Sequence, residues 1–332
     1  MILVTGGLGF IGSHIVLSLL AHRQEVVIVD NLANSSLETL ERLEYISGMY
    51  VPFVKLDVRN TPALNKVFEQ YSIKAVIHTA GFKSIEESRL KPLEYYNDNV
   101  SCIMSLMRAM QRTGLRNLVH LSSLAVYGTS SLELHEALPF NYAYPNPYIK
   151  SQQMIEEIIR DTSITDSEWN IAILRLGNVV GAYENGVLGE FVAPLPKNIV
   201  PLLLQVAALQ RDSVQLQQNA STTDQTVERS FVHVLDVAEA VVSSVQWLFS
   251  QQSQCESFDI AGEKSSILDL IKVVEDVTQT QIKTEKSEYI YNEIDQIHSI
   301  SQKAFETLNW KAHRPLKKMI EDEWRYYKNS FK

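Results

Sequence analysis

Ile2-Leu3-Val4-Thr5-Gly6-Gly7-Leu8-Gly9-Phe10-Ile11-Gly12-Ser13-His14, at the start of the chain, is the stretch whose reading decides the fold. The aliphatic run Ile2–Val4 reads as a buried strand, and it passes without a linker into Gly6, Gly9 and Gly12. A helix that starts inside this string needs each glycine for a different reason. The first permits a tight turn, the second lets backbone approach a phosphate, and the third lets helix and strand pack closely. Amides at the helix start, from Phe10 and Ile11 onward, then face an anion.

A glycine spacing is weak evidence alone, and its context supplies the rest. Asp30 follows a second apolar run, Val26–Val29, eighteen residues beyond Gly12. A carboxylate there accepts hydrogen bonds from adenosine ribose hydroxyls and repels a 2′-phosphate, which predicts NAD rather than NADP. The competing reading is that Asp30 merely caps the following loop.

Further out, apolar runs alternate with segments of helical period. Ile2–Val4, Val26–Val29, Val51–Leu56, Ala75–His78, Leu118–Leu121 and Ile171–Leu174 read as six buried strands; helices are expected near 11–21, 37–46, 62–70, 91–113 and 147–162. This predicts a Rossmann-type, doubly wound parallel α/β sheet over residues 1–178. Beyond about residue 180, Pro194, Pro196 and Pro201 break the chain and Gln210–Glu228 reads as a polar loop. Helical patterns at 235–249, 266–278 and 315–328 predict a smaller C-terminal α/β substrate-binding lobe over 179–332, with a return of about 229–250 to the first domain left open.

A net charge of −9 without a Lys/Arg block argues against a nucleic-acid partner, which requires a basic stripe. Cys102, Cys255 and the histidines, among them His14, His78, His120 and His233, lack paired metal-ligand spacing, so they read as structural and no metal is expected. No apolar run approaches the ~18 residues of a membrane span. With no charged leader ahead of the first strand, the expectation is a cytoplasmic protein in a reducing compartment.

Thr5–His14, Asp30-Asn31-Leu32, Lys91-Pro92-Leu93-Glu94-Tyr95-Tyr96, Val126-Tyr127-Gly128 and Asn146-Pro147-Tyr148 together resemble the UDP-glucose (UDP-galactose) 4-epimerases, extended short-chain dehydrogenase/reductases. Leu174-Arg175, Asn178, Gly181, Phe231-Val232-His233-Val234 and Leu308-Asn309-Trp310 extend the likeness over nearly the whole chain. The resemblance implies that a tyrosinate takes the proton of the sugar 4-hydroxyl while the C4 hydride passes to NAD, leaving a bound 4-keto sugar that turns over before hydride returns. It assigns the base to Tyr148 and its hydrogen-bonding partner to Ser123, with Ser122 beside it. It places Asn31, Asn34, Ser35, Asp57 and Val58 around the adenosine, and Ala80, Gly81, Lys83 and Asn99 along the cofactor. Asn178, Asn198 and Arg229, with Ser123, would hold the UDP-sugar; a guanidinium suits a diphosphate because it can make two parallel hydrogen bonds. The resemblance also implies a homodimer through a four-helix bundle of segments 91–113 and 147–162, whose stripe includes Met104, Met107 and Ile155; burial beneath the cap competes with this. Taken alone, Tyr148 reads as a packed aromatic at a helix start, Ser123 as a strand-end cap and Arg229 as a surface arginine.

The family's lysine four residues after the tyrosine is Gln152 here. A helix turns about 100° per residue, so Gln152 shares the face of Tyr148 while Lys150 points nearly opposite. A nearby ammonium lowers an acid's pKa by roughly 1–3 units, which glutamine cannot do. The expected outcome is retained NAD with slowed chemistry. Leu176-Gly177 replaces an aromatic pair, Asn219–Glu228 replaces a glycine-rich loop before Arg229, and Tyr289-Ile290-Tyr291-Asn292-Glu293 stands where the family has an arginine-rich clamp. Two alternatives stay open: a non-catalytic nucleotide-binding paralogue and a sugar-nucleotide dehydratase. The latter needs carboxylates where Leu124-Ala125 stand.

Overall fold

The computed structural model describes residues 1–128, 133–143, 146–190, 196, 198–217, 220–251, 253–287 and 294–330. The first half alternates strand and helix: β1 (Ile2–Thr5), α1 (Phe10–Ala21), β2 (Val26–Asp30), α2 (Leu37–Ser47), β3 (Phe53–Lys55), α3 (Thr61–Gln70) and β4 (Ala75–His78). Then come the short helices α4 (Ile85–Leu90) and α5 (Pro92–Tyr95), a π turn over Tyr96–Val100, α6 (Ser101–Thr113), β5 (Asn117–Ser123), α7 (Pro147–Thr165) and β6 (Asn170–Leu176). The second half holds β7 (Asn178–Val180), α8 (Ile199–Ala207), β8 (Val214–Leu216), β9 (Glu228–His233), α9 (Val234–Ser250), β10 (Cys255–Ile260) and β11 (Glu263–Ser266). It closes with α10 (Ile267–Thr278), β12 (Thr284–Lys286), β13 (Gln296–Ile297), α11 (Gln302–Leu308) and α12 (Leu316–Asn329).

Seven parallel strands form the main sheet in the order β10-β6-β5-β4-β1-β2-β3, so the winding direction reverses between β1 and β4. In a doubly wound sheet the ligand crevice opens at that switch, beyond the carboxyl ends of the strands. Alternate residues of each strand face opposite cores. Ile2, Val4, Ile28, Ile77, Val119 and Leu174 pack towards α1 and α9, whereas Leu3, Val27, Val76, Leu118 and Ile173 pack towards α3, α6 and α7. Burial on both faces explains why these strands read as continuous apolar runs.

Several expectations need correction. The seventh strand, β10, was missed because Cys255-Glu256-Ser257-Phe258-Asp259-Ile260 alternates polar and apolar residues, as an edge strand can. The single helix expected over 91–113 is interrupted by the π turn, a geometry concentrated at functional sites. Pro201 does not break the chain; it occupies the first turn of α8, where a proline costs no helical hydrogen bond. The polar stretch 210–228 contains β8, paired in parallel with β12. Pro194 lies outside the described residues. Met107 and Ile155, expected on an exposed stripe, are buried in the core against the main sheet.

β7, β9, β11 and β13 build a second, smaller sheet, and a third core joins α8, β8, α10 and α12 around Phe231. α9 packs on α1 and leads to β10, so the chain crosses into the small sheet and returns to the large one. Those crossings put β7 and β9 beside the carboxyl ends of β5 and β6.

A Cβ added at Gly12 would lie 2.2 Å from the Gly6 carbonyl oxygen. Gly12→Ala is therefore expected to cost roughly 3 kcal/mol or more, the upper end of overpacking penalties, as measured by urea unfolding. A loss below half that value would show that the turn can yield.

Candidate active site

α1 starts at Phe10 with Gly9 as its N-cap and no side-chain cap, and its first turn carries no acidic residue. Gly6 has φ +71° and its amide donates to Val29, while its carbonyl accepts from Gly9. The first-turn amides thus have no side-chain acceptor and face outward, which is what an anion site needs. Phe10 packs edge-on against His14, and Ile11 lines the cleft beyond.

Asp30 sits at the end of β2 and is 7% exposed. One carboxylate oxygen accepts from the Leu8 amide at 3.1 Å; the other accepts from the Leu32 amide at 2.9 Å and the Ser35 hydroxyl at 2.8 Å. It therefore caps the loop and also ties that loop to the glycine turn. Asn31 accepts from the Ala33 amide, and Asn34 is exposed beside it. Val58 is buried. The Asp57 carboxylate is engaged by the Arg59 guanidinium, with a contact of 2.6 Å, which holds its pKa down at about 2. Arg59 also bonds Asp98; neither residue had been singled out in the sequence, because an ion pair between a strand end and a π turn has no local signature.

The loop after β4 crosses under the glycine turn. Thr79 donates its hydroxyl to the carbonyls of Thr5 and Gly6, and Ala80 and Gly81 line the cleft. Asn99, 1% exposed in the π turn, accepts from the Phe82 amide at 2.8 Å and donates to the Phe82 carbonyl at 3.1 Å and the Ser151 hydroxyl at 3.1 Å. It braces this loop against α7, so within the protein it acts through the loop that carries Gly81 and Lys83. The Lys83 ammonium pairs with Glu190 at 2.9 Å, and the Asn198 amide donates to the same carboxylate oxygen at 2.9 Å. Glu190 was not anticipated, since a single acid in an irregular loop follows no period.

Across the cleft, Asn146 caps α7 by accepting from the Ile149 amide at 3.1 Å, and Pro147 occupies the first turn. The Asn-Pro-Tyr sequence thereby fixes Tyr148 at the helix start, facing the cleft. Burial pushes the Tyr148 hydroxyl up from the usual phenol range, and a hydrogen bond with Ser123 pulls it the other way. Ser123 also accepts from the Ala125 amide at 3.2 Å, capping the short 3₁₀ turn that follows β5, so it is both a strand-end cap and the partner of Tyr148. Ser122 instead donates to Glu156 at 2.6 Å. Gln152 lies one turn below Tyr148, 7% exposed, and lines the cleft, whereas Lys150 does not.

Asn178, Asn198 and Arg229 line the far side of the cleft. Arg229 is not a surface arginine: it is 8% exposed and donates to the carbonyls of Ile294 at 2.6 Å and Glu228 at 2.9 Å. Leu176 and Gly177 form the wall where the family has an aromatic pair, and a Cβ at Gly177 would meet the Ser230 carbonyl oxygen at 2.6 Å. Residues 289–293 and Asn219 lie outside the described residues. Among the described residues no group of His, Cys, Asp and Glu could hold a metal ion, and no helix is long and apolar enough to cross a membrane.

The cleft encloses about 970 Å³ and runs from Ile11 and Ala80 past Tyr148 to Arg229. That length suits two ligands end to end. The glycine turn packs too tightly on Thr79, Ala80 and itself to take any side chain, and the start of α1 beside it has no side-chain cap; in the middle of the cleft the Gln152 side-chain oxygen is buried without a hydrogen-bond partner. An uncapped helix start and an orphaned buried oxygen fit a dinucleotide.

A family model, the NAD dependent epimerase/dehydratase family, matches residues 2–259. UDP-glucose 4-epimerase 2 of Arabidopsis thaliana is 35% identical, with 99% of this chain and 95% of that protein covered. UDP-glucose 4-epimerase of Bacillus subtilis is 34% identical over 98% of this chain and 96% of its own. A crystal structure of the Bifidobacterium longum UDP-glucose 4-epimerase, in complex with NAD⁺ and UDP, superposes with a TM-score of 0.95 at 33% identity, covering 99% of this chain and 98% of that one. The chain belongs to this epimerase family. With membership come the isomerase class and NAD as the cofactor. Tyr148, Ser123 and Gln152 all line the cleft, and position 152 carries an uncharged amide.

Glu323, on α12, lines the same cleft and is 4% exposed. It accepts from the Gly181 amide at 2.9 Å; burial, aided by Glu190, pushes its carboxyl up to about 8. A folded pKa above the unfolded value means that the folded state binds the extra proton between about pH 4.5 and 8, so stability falls as pH rises through that window. Glu323→Gln should become progressively more stable than wild type by about 1.4 kcal/mol per pH unit within it. Chemical unfolding at several pH values checks this; a difference independent of pH would refute the assignment.

Proposed function

We propose that this protein interconverts the C4 epimers of a UDP-hexose of the UDP-glucose/UDP-galactose type, with Tyr148 as proton acceptor and donor. The observation that carries the reading is that Tyr148 and Ser123 line the middle of one cleft, which runs from Ile11 in the first turn of α1 to the buried Arg229. NAD, when bound, supplies a two-electron acceptor that gives the electrons back within the same cycle. The protein's own residues handle the proton. Tyr148 takes it from the sugar 4-hydroxyl, Ser123 stabilises the oxygen whose charge changes, and on the return step Tyr148 gives the proton back. Asn178, Asn198 and Arg229 hold the nucleotide-sugar while the hexose turns over. Asn31, Asn34, Ser35, Asp57 and Val58 surround the adenosine, and Lys83, balanced by Glu190, stands over Phe10 at the cofactor side.

Among the described residues lining the cleft near Tyr148, no cation replaces the family's lysine. Tyr148 is therefore mostly protonated at neutral pH, and raising the pH increases the tyrosinate fraction. Turnover of UDP-galactose to UDP-glucose should climb between about pH 7 and 9 in wild type. In Gln152→Lys it should be ~10-fold faster at neutral pH and flatter with pH. Tyr148→Phe should lose at least ~100-fold in turnover while keeping NAD. Equal rates in wild type and Tyr148→Phe would favour the non-catalytic alternative.

We further propose a cytoplasmic homodimer. Leu90 and Leu93, 79% and 78% exposed, and Met154, 43% exposed, lie on α4, α5 and α7, which pack together. Sedimentation equilibrium at micromolar concentration should give twice the chain mass, and Leu93→Glu combined with Met154→Glu should give the monomer. A monomeric wild type would remove the proposal.

A further inference from the structure

A row of polar side chains crosses the sheet beneath the cofactor side of the cleft. The parallel register sets Thr5 of β1 beside His78 of β4, and His78 beside His120 of β5. The Thr5 hydroxyl and the His78 Nδ1 are 2.7 Å apart, and the His78 and His120 rings stack with centroids 5.7 Å apart and planes 26° from parallel. His120 is 3% exposed, so stacking rather than solvent sets its orientation. Gln152, on α7, lines the same cleft as His78 and His120.

Three atoms in this row are buried without a completed hydrogen bond: Nδ1 and Nε2 of His120 and Oε1 of Gln152. Buried polar atoms of this kind cost roughly 1–3 kcal/mol each when left unmade, so three together in the middle of the cleft mark a place that a ligand completes. Burial lowers the His120 pKa to about 4, which leaves a neutral ring with one N–H donor and one acceptor nitrogen. The Gln152 amide likewise offers both kinds of group. A facing pair can satisfy one donor and one acceptor between them, and the remainder is matched by a hydroxyl, which both donates and accepts.

We propose that His120 is a positioning residue for the cofactor: it orients the Gln152 amide, and the two side chains together hold a ribose hydroxyl of NAD. The proposal rests on NAD as the cofactor but not on epimerase turnover. In this protein the pair takes over the holding task that an ammonium at position 152 would perform alone. His120 should accordingly matter only while residue 152 is glutamine.

The test is a double-mutant cycle read by NAD affinity of the stripped, full-length protein, using isothermal titration with NAD alone. His120→Phe preserves the stack on His78 and removes both nitrogens. It should weaken NAD ~10-fold, about the worth of one hydrogen bond, in the wild-type background, and less than ~2-fold in the Gln152→Lys background. Equal losses in both backgrounds would show that the ring only packs, and no loss in either would show that it is idle; each overturns the proposal. If His120→Phe fails to fold, His120→Leu, which also removes both nitrogens, is run through the same cycle with the same criterion of unequal losses. Wild type that takes up no NAD would count against the family reading itself, whereas equal losses count against the pair alone.

Discussion

The contact between the Gly6 carbonyl and the α-carbon of Gly12 is the constraint on which the rest of the molecule depends. It brings the first turn of α1 against the end of β1, closer than any side chain at residue 12 would allow. Because α1 then lies flat on the sheet, α9 can pack on α1, and β10 can close the sheet beyond β6. The same closeness turns the uncapped amides of the helix start towards the crevice at the β1–β4 switch. Asp30 reinforces the arrangement from the neighbouring strand by accepting from the Leu8 amide, so the end of β2 and the glycine turn are tied together.

A second constraint anchors the reacting serine strand from below. The Arg175 guanidinium, 2% exposed, makes two-sided contact with Glu156, at 2.7 Å and 3.0 Å, and donates to the Tyr127 hydroxyl at 2.6 Å. Tyr127 in turn donates to Asp259 at 2.8 Å, and Ser122 donates to Glu156. This chain links β5, β6, α7 and β10, so the strand that presents Ser123 and the helix that presents Tyr148 are held through shared charged partners. Buried charges are tolerated there because each is hydrogen-bonded to an opposite or polar group, the condition under which such pairs specify geometry. Asp259 sits at the far end, where burial and Glu136 push its carboxyl up to about 7.

Electrostatically the cleft is divided. Its far side carries Arg229, already bonded to two carbonyls, while Lys83 is balanced by Glu190. Tyr148, Ser123, Gln152, His78 and His120 line the stretch between them, and none of these five side chains carries a positive charge when the imidazoles are neutral.

What the sequence determined by itself is local and periodic. The strand, turn and helix of the first fourteen residues, the acid closing β2, and the Asn-Pro-Tyr helix start each depend on residues a few positions apart, so their geometry follows from backbone sterics and capping. Five of the six expected strands were legible because burial on both faces leaves uninterrupted aliphatic runs, whereas the one expected as buried over Val51–Leu56 is β3, a three-residue edge strand that is only partly buried; β10 was not legible, because an edge strand needs apolar residues only at alternate positions. Tertiary structure alone decided which distant groups meet. It brought Glu190 to Lys83, Arg59 to Asp98, and Glu323 to Gly181. It also buried Arg229, Met107 and Ile155 against expectation. These pairings arise from parallel strand register and from helices packed across the sheet, and neither leaves a trace in the spacing of residues along the chain.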